Sequence, residues 1–523
     1  MRISKETIEY AARHIIDHGD TDIFPFPLEL KFYGDKFEQV VANLAAQDYQ
    51  TFLPISLVES LIPKSKYGFR VAHQPYPSDT IIYTALVCSI IDDVERARSD
   101  TCDGRAFSYR KSPGNVSPFF VEDNNFKDWI SNLQAHAWFS QEYTHAIRTD
   151  ISDFYMRIYR HRLENILDSL SGKTAIVKKL EKILSVWRAG QSFGLPIGSD
   201  ASRLLAEAAL HDTDTALMSE GYHHTRYVDD FMILVKEGQN PYAALGFLAR
   251  NLSENEGLSL NNAKTKIYAW GEFEEFLDKP NDEDEATKEN WATEKLFWAA
   301  YAKESMDSEA LDALMTKDLS KELDDQLGES FWEMGSIRII LHAMRFVGGD
   351  DVAVFIRNKL SDLVPFAKDV VLLIESFVQK GSDKFDDASS IITGLLLSDT
   401  MRPLDCARAW FLELGVRGLI QFSQPEIRQL DSLSGTLDIR QMHLIRWRAR
   451  DLNYFRSRKA RLNEIQIWAQ PTFIFAAGCL PKEEYGHWVR SLKSRLQFPL
   501  AKEFCDWCIE VQGEDPYKVK PNP

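Results

Sequence analysis

The stretch HHTRYVDDFMILV, His223 to Val235, sets two adjacent carboxylates, Asp229 and Asp230, inside an otherwise apolar run. Adjacent strand residues point to opposite faces, so a single protein cation does not easily neutralise both. An unpaired carboxylate in the interior is costly. A tight turn between two strands would lift both acids to a hairpin tip, where a divalent cation could bind. An Asp-Asp turn in a plain surface hairpin reads the same way from these residues alone, so other carboxylates must decide between the two.

AIRTDISDFYMRIYRHRL supplies one. Asp150 ends a short strand-like lead, and the chain then enters a helical pattern through Ile158 and Leu163. A strand that delivers Asp150 at its end could set it beside the VDD hairpin. Three converging carboxylates could hold two Mg²⁺ ions about 3.5–4 Å apart, the arrangement that clamps attacking and leaving oxygens in phosphoryl transfer. Each acid would need the cations to offset repulsion from its neighbours. Between these elements lies SFGLPIGSDASRLLAEAAL, where Gly194 and Gly198 flank Pro196 and Ser199, Asp200 and Ser202 can cap a following helix. Such a glycine turn lets backbone approach a ligand closely. Downstream, GLSLNNAKTKIY presents Lys264 and Lys266, either of which could approach a triphosphate.

The elements that must position these groups fall into three zones. Residues 1 to about 145 mix helical patterns with Pro-rich turns, and residues 146 to 270 alternate short apolar strands with helices, an α/β layering. EFEEFLDKPNDEDEATKEN follows, acidic and containing Pro280, and reads as a surface linker. Beyond about residue 290 come apolar or amphipathic helical segments: EKLFWAAYAKESM, SIRIILHAMRFV, DVAVFIRNKLSDLV, KDVVLLIESFVQK, ASSIITGLLLSD and CARAWFLELGVRGLI. An array of packed helices, in the manner of a helical-pair solenoid, would bury those faces, although no fixed-period repeat is visible. The fold class is thus α/β plus all-α.

The 523 residues, 44% apolar and 27% charged, leave room for about two to four domains of ordinary globular composition. No run of about 18 uncharged apolar residues suggests a membrane span. The charged opening MRISKETIEYAARHIID does not read as a signal peptide. Six scattered cysteines fit a reducing cytoplasm. The pair in CDWC, Cys505 and Cys508, has the spacing of half a zinc site with no second pair, and reads as buried thiols on a helix. A net charge of −17 argues against gripping a long duplex, unless the basic residues are concentrated locally.

Taken in chain order, Asp150 with DFY, then GLPIG…SR, YVDD and LNNAKT resemble motifs A, B, C and D of reverse transcriptases. The resemblance implies right-hand polymerase fingers and palm in residues 1–285, followed by an α-helical C-terminal domain in 286–523. Asp150, Asp229 and Asp230 would be the catalytic, metal-binding carboxylates, with Mg²⁺ as the cofactor and Mn²⁺ able to substitute. Tyr155 matches the aromatic gate that excludes a ribose 2′-hydroxyl, which points to dNTPs. Tyr155 also has the spacing of an ordinary core aromatic. The backbone around Ser152 and Asp153 would face the triphosphate, and Gly198 lies in the nucleotide-supporting turn. Lys264 matches the motif D lysine that could protonate the leaving pyrophosphate. In YGFRVAHQPYPSDTIIYTALV, which looks like the fingers segment, Arg70 is the candidate triphosphate clamp; a surface ion pair is the plain alternative.

The departures matter. Ile197 stands where many templated enzymes have Gln before the second glycine of motif B. No thumb, RNase H pattern or basic maturase-like tail follows motif D. With its helical C-terminal half, the chain resembles the bacterial abortive-infection and defence-associated reverse transcriptases. Some of these make DNA without a template, start on a protein hydroxyl and oligomerise. That resemblance implies a cytoplasmic antiphage DNA polymerase, protein-primed and template-independent. Its partners would be dNTPs, a single-stranded DNA product attached to protein, possible bound RNA and further copies of itself, with no membrane. Two alternatives remain at this level: a conventional enzyme templated by a bound non-coding RNA, and a non-catalytic phage-sensing scaffold with a nucleotide-binding palm. Among the 18 tyrosines, Tyr10 is one candidate for a priming hydroxyl.

Two other stretches invite chemistry. FVGGDDVAVF carries the Gly-Asp-Asp of many viral RNA polymerases, but no second motif set accompanies it. It reads as two helices joined by glycines, with Asp capping the second. RQMHLIRWRARDLNYFRSRKAR, residues 440–461, holds eight Lys or Arg and one acid, interleaved with Trp447, Tyr454 and Phe455. Arg446, Arg448, Arg450, Arg456 and Arg458 could follow a single strand by charge while the aromatics stack on bases. A solvated helical face with its aromatics in the core is the other reading.

Overall fold

The seven-residue run Asp230–Lys236 forms a strand because its apolar side chains are buried on both sides: Phe231, Met232, Ile233, Leu234 and Val235 are each 0% exposed. Burial of each such side chain stabilises by about 1.5–3 kcal/mol. This strand belongs to a computed structural model that describes residues 1–19, 21, 23–98, 105–112, 114, 119–121, 126–135, 142–278 and 315–517. The chain divides into two units. One comprises Met1–Asp22, Phe37–Leu57 and His73–Glu283; the other comprises Ile23–Lys36, Val58–Ala72 and Asp284–Pro523.

In chain order the strands are β1 Val58–Pro63, β2 Phe69–Gln74, β3 Tyr143–Asp150, β4 His223–Tyr227, β5 Asp230–Lys236 and β6 Lys266–Ala269. β1 and β2 pair as a two-stranded ribbon. The other four form an antiparallel sheet in the order β4-β5-β3-β6. One face of this sheet, with Ala146, Met232, Leu234 and Tyr268, packs on Phe107, Trp129, Leu133, Phe273 and Leu277. Helices Pro241–Asn251 and His211–Ser219 also pack against the sheet. The long helix Pro77–Ala97 starts with Pro at its first turn and is buried along most of its length. It packs on helices Lys5–His18, Arg160–Ser171, Thr174–Trp187 and Asp200–Ala209.

One expectation is corrected here. The acidic stretch expected as a linker begins inside helix Trp270–Asp278, whose Phe273 and Leu277 are buried. These residues lie four apart and share one helical face, so the acids occupy the solvent side. The rest of that stretch, and the segment EKLFWAAYAKESM, lie outside the described residues.

In the second unit, helices Met334–Val347, Ala367–Gln379, Asp405–Val416, Thr436–Arg448 and Gln470–Ala476 each pack on the next. Shorter helices Asp350–Asn358, Ser389–Leu396, Gln424–Leu430 and Leu452–Arg458 alternate with them. This is the stacked helical array that the apolar segments called for. Buried ion pairs cross between neighbours: Arg408 forks to Asp438, both Nε bonds at 3.1 Å. The Gly-Asp-Asp at Gly349 starts a helix, but the cap position is held by Gly349 and not by an Asp as expected; Asp350 and Asp351 lie in the first turn. Cys505 and Cys508 are buried thiols on helix Ala501–Glu510. Among the described residues, no helix is long and apolar enough to cross a membrane.

Candidate active site

β3 and β5 are in register so that Asp150 stands directly opposite Asp230. Opposite residues on antiparallel strands are about 4.5–5.5 Å apart at Cα. Val228 and Asp229 form the two-residue turn between β4 and β5, so three carboxylates lie at one end of the sheet. The Asp229 carbonyl accepts from the Ile151 amide at 3.1 Å, which fastens the hairpin to the residue following Asp150.

The motif D turn fastens to Asp150 as well. The Asn261 amide donates to the Asp150 carbonyl at 2.7 Å, and its side-chain Nδ2 donates to Asp150 Oδ2 at 3.2 Å. Lys264 Nζ lies 3.1 Å from the same oxygen, with about half of its side chain exposed. Lys266 instead stands over the Tyr268 ring. Burial, then repulsion from Asp150 and Asp230, pushes the Asp229 carboxyl up to about 7. Burial and Asp150 raise Asp230 too. For Lys264, burial works against the charge, but the bond to Asp150 and the three acids outweigh it and raise its pKa. The cluster therefore carries more negative charge than its one lysine offsets.

Carboxylates of this kind are the hard oxygen donors that Mg²⁺ prefers. Among the described residues, no group of three or more His, Cys, Asp or Glu side chains is placed to hold a metal ion as it stands, and Lys264 supplies the counter-charge to Asp150. The donor chemistry and the excess negative charge both fit divalent cations.

The turn that carries Asp229 is strained. Val228 has φ 57°, a left-handed conformation that a β-branched residue rarely adopts. A buried polar network holds it there. Its amide donates to Ser108 Oγ at 2.7 Å, and its carbonyl accepts from Arg226 Nη1 at 3.1 Å. Arg226, 0% exposed, also donates to Glu207 Oε2 at 2.7 Å and forks onto Asp214. Glu207 accepts further bonds from Arg98, at 2.9 Å, and from the Ser108 hydroxyl. Burial alone would push Asp214 up, but Arg226 and His224 hold it far below the usual carboxylate range. The sequence reading did not single out Ser108, Glu207, Arg226 or Asn261. An Arg inside an apolar strand and an Asn three residues before Lys264 were the available signals.

The glycine turn is fixed from two sides. Gly194 and Gly198 have φ 94° and 122°, values that favour glycine. The Gly194 and Leu195 amides donate to the Ile158 and Tyr155 carbonyls at 2.8 and 2.9 Å. Ile197 exchanges bonds with His73: its amide donates to Nδ1 at 3.1 Å, and its carbonyl accepts from the His73 amide at 3.0 Å. Ser199 caps the following helix by accepting from the Ser202 amide at 3.2 Å. Tyr155 is partly exposed, and its crowded hydroxyl is raised well above the ordinary phenol value by burial.

The Ser152 amide is bonded to the Ser259 carbonyl at 2.8 Å, so that donor is already engaged. Asp153 is exposed at φ 49°. Arg70 stands exposed on β2 and belongs to the second unit. Tyr10, 5% exposed and packed on Phe119, is no mobile hydroxyl, because its ring is part of the core.

In residues 440–461 most of the charges have partners within the helical unit. Arg446 is buried between Asp431 and Asp451. Arg448 forks to Asp515 at 3.0 Å, Arg456 forks to Glu484, and Arg458 stands over the Tyr454 ring at 4.2 Å. Of the five, Arg450, Arg456 and Arg458 are exposed, and the Arg450 guanidinium makes no ion pair or hydrogen bond among the described residues.

Residues 94–297, which include all four motifs, match the family described as Reverse transcriptase (RNA-dependent DNA polymerase). This segment of the chain is thus a reverse-transcriptase domain by its match. No curated protein matches the chain. Solved structures similar to it include three of telomerase. Apo telomerase from Candida tropicalis, truncated of its C-terminal domain, is 16% identical over 40% of this chain and 49% of that one, with a TM-score of 0.30. Telomerase from Candida albicans, in complex with the TWJ fragment of telomeric RNA, is 12% identical over 71% of this chain and 66% of that one, with a TM-score of 0.32. Apo telomerase from Candida tropicalis is 12% identical, covering 74% of each chain, with a TM-score of 0.33. The chain spans about half the length of the first of these and about two thirds of the second.

Proposed function

We propose that this protein is a DNA polymerase that transfers dNMP from dNTPs to a growing 3′ end at Asp150, Asp229 and Asp230. The observation that carries this reading is the pairing of Asp150 with Asp230 across β3 and β5, with Asp229 on the adjoining turn. Divalent cations of the Mg²⁺ kind, held by these three carboxylates, would activate the attacking hydroxyl and neutralise the triphosphate. Asn261 and the Ile151 amide keep the acids aligned. Lys264, on a flexible stem and already protonated, is suited to give a proton to the departing pyrophosphate. Tyr155 would exclude the ribose 2′-hydroxyl, and the glycine turn at Gly198 would let the nucleotide lie against backbone. Arg70 remains the candidate clamp from the fingers.

The biological reading is antiphage defence with protein-primed, untemplated synthesis and self-association. The chain's acidity and its helical C-terminal unit support it. A second reading, RNA-templated synthesis, is favoured by the family's own description as RNA-dependent. The deciding experiment supplies each labelled dNTP with Mg²⁺ or Mn²⁺ to purified protein, without template or primer. Products are resolved before and after protease and nuclease, with the Asp229→Ala, Asp230→Ala variant as control. Nuclease-sensitive label attached to wild-type protein supports protein priming. Product that forms only after RNA and a primer are added supports templated synthesis. No product under any condition overturns the polymerase reading.

A further inference from the structure

The helical unit holds a cavity of about 600 Å³ walled by Phe422, Trp447 and Arg450, with Gly418, Gly478 and Gly513 along its lining. This volume is typical of a small-molecule pocket. Its aromatic wall is fixed: the Trp447 ring lies 5.6 Å from that of Phe475 and 5.4 Å from the Arg448 guanidinium. Arg448 has its charge met by Asp515 and lies close against Gly418, where a Cβ would stand 3.1 Å from Nη1. The cavity's own cation is therefore Arg450.

Two observations set Arg450 apart. Its backbone lies at φ 50°, in the left-handed region. It sits just past the end of helix Thr436–Arg448, and the turn is closed by the Asp451 amide on the Arg446 carbonyl at 3.0 Å. Glycine is the residue that closes this turn without strain. Its guanidinium also makes no ion pair or hydrogen bond among the described residues, which it shares with exposed Arg461, while Arg440, Arg446, Arg448, Arg456 and Arg458 have acidic or aromatic partners. A cation is welcome at a helix C-terminus, but Arg446 and Arg448 already provide that. The strained backbone and unengaged charge of Arg450 are accounted for if its side chain meets a ligand in the cavity.

We infer that this cavity binds a nucleoside phosphate, with the base against Trp447 and Phe422 and the phosphate on Arg450. Aromatic faces accept any base by stacking, and guanidinium is the preferred planar donor to phosphate. The inference is independent of the carboxylate site. The ligand is either a free nucleotide or the end of a strand.

The test uses the full chain carrying Asp229→Ala and Asp230→Ala, in EDTA, so that metal-dependent binding at the palm is removed. Fluorescent mant-dATP and a fluorescein-labelled dT tetramer are titrated separately. At least one should bind, and whichever binds identifies the source of the phosphate. Arg450→Gly relieves the backbone while deleting the cation, so Tm should hold or rise while affinity falls about tenfold or more. Arg450→Lys should retain part of the binding, and Trp447→Ala should weaken it. Absence of EDTA-resistant binding by both probes would overturn the inference, as would an Arg450→Gly chain that binds as tightly as its parent.

Discussion

The Val228 amide donates to the Ser108 hydroxyl at 2.7 Å, across 120 positions of sequence, and this bond holds the turn on which Asp229 is carried. Ser108 in turn donates to Glu207, and Glu207 accepts from Arg226, whose guanidinium reaches back to the Val228 carbonyl. The strained turn is thus gripped at both its donor and its acceptor.

Ser108→Ala should cost about 1–2 kcal/mol, because it strands a buried amide and removes a donor to Glu207. Nucleotide incorporation should fall further than stability alone explains. Arg226→Met should cost about 3–5 kcal/mol by leaving Glu207 and Asp214 without their shared cation. Thermal unfolding and single-turnover incorporation measure the two effects. A Ser108→Ala enzyme with unchanged kcat would show that the turn holds itself.

Asp229→Asn should abolish incorporation yet stabilise the metal-free protein by about 1 kcal/mol, since it removes a half-buried charge repelled by Asp150 and Asp230. Unfolding in EDTA reads this directly. A destabilised variant would mean that repulsion is already relieved within the protein.

Asn261→Ala should lower kcat about 10–100-fold, the usual effect of losing a residue that orients a metal-binding group. Asn261 contacts Asp150 through its side chain, so the Mg²⁺ requirement should shift to higher concentration while Tm changes little. An unchanged Mg²⁺ titration would assign Asn261 to the turn alone.

His443, 1% exposed in the helical unit, is lowered by burial from 6.5 to about 3. Between those values the unfolded chain binds a proton that the folded chain refuses. Stability should therefore fall as pH drops from about 6.5 towards 3, by at most about 1.4 kcal/mol per pH unit from this group. Hydrogen exchange of helix Thr436–Arg448 across that range should show the slope, and His443→Gln should flatten it.

The carboxylate hairpin was legible because acids in an apolar run demand a reason, and the helical array was legible because each apolar face needs a neighbour. The buried network was not. Arg98, Ser108, Glu207 and Arg226 come from four separate segments, and no local spacing joins them. The helix at Phe273 and Leu277 was hidden by its acidic solvent side. The basic stretch misled for a related reason: composition displays Arg446, Arg448 and Arg456, while their partners Asp431, Asp515 and Glu484 lie elsewhere in the chain.

β5 is apolar on both faces, so hydrophobic burial barely distinguishes its proper alignment with β3 from one shifted by a residue. The chemistry distinguishes them completely, because a one-residue slip would turn Asp230 away from Asp150 while the core stayed filled. The hairpin turn and its buried anchors therefore act as an index mark that sets where the strands stop sliding. Damage to that mark would yield a folded protein whose acids no longer meet.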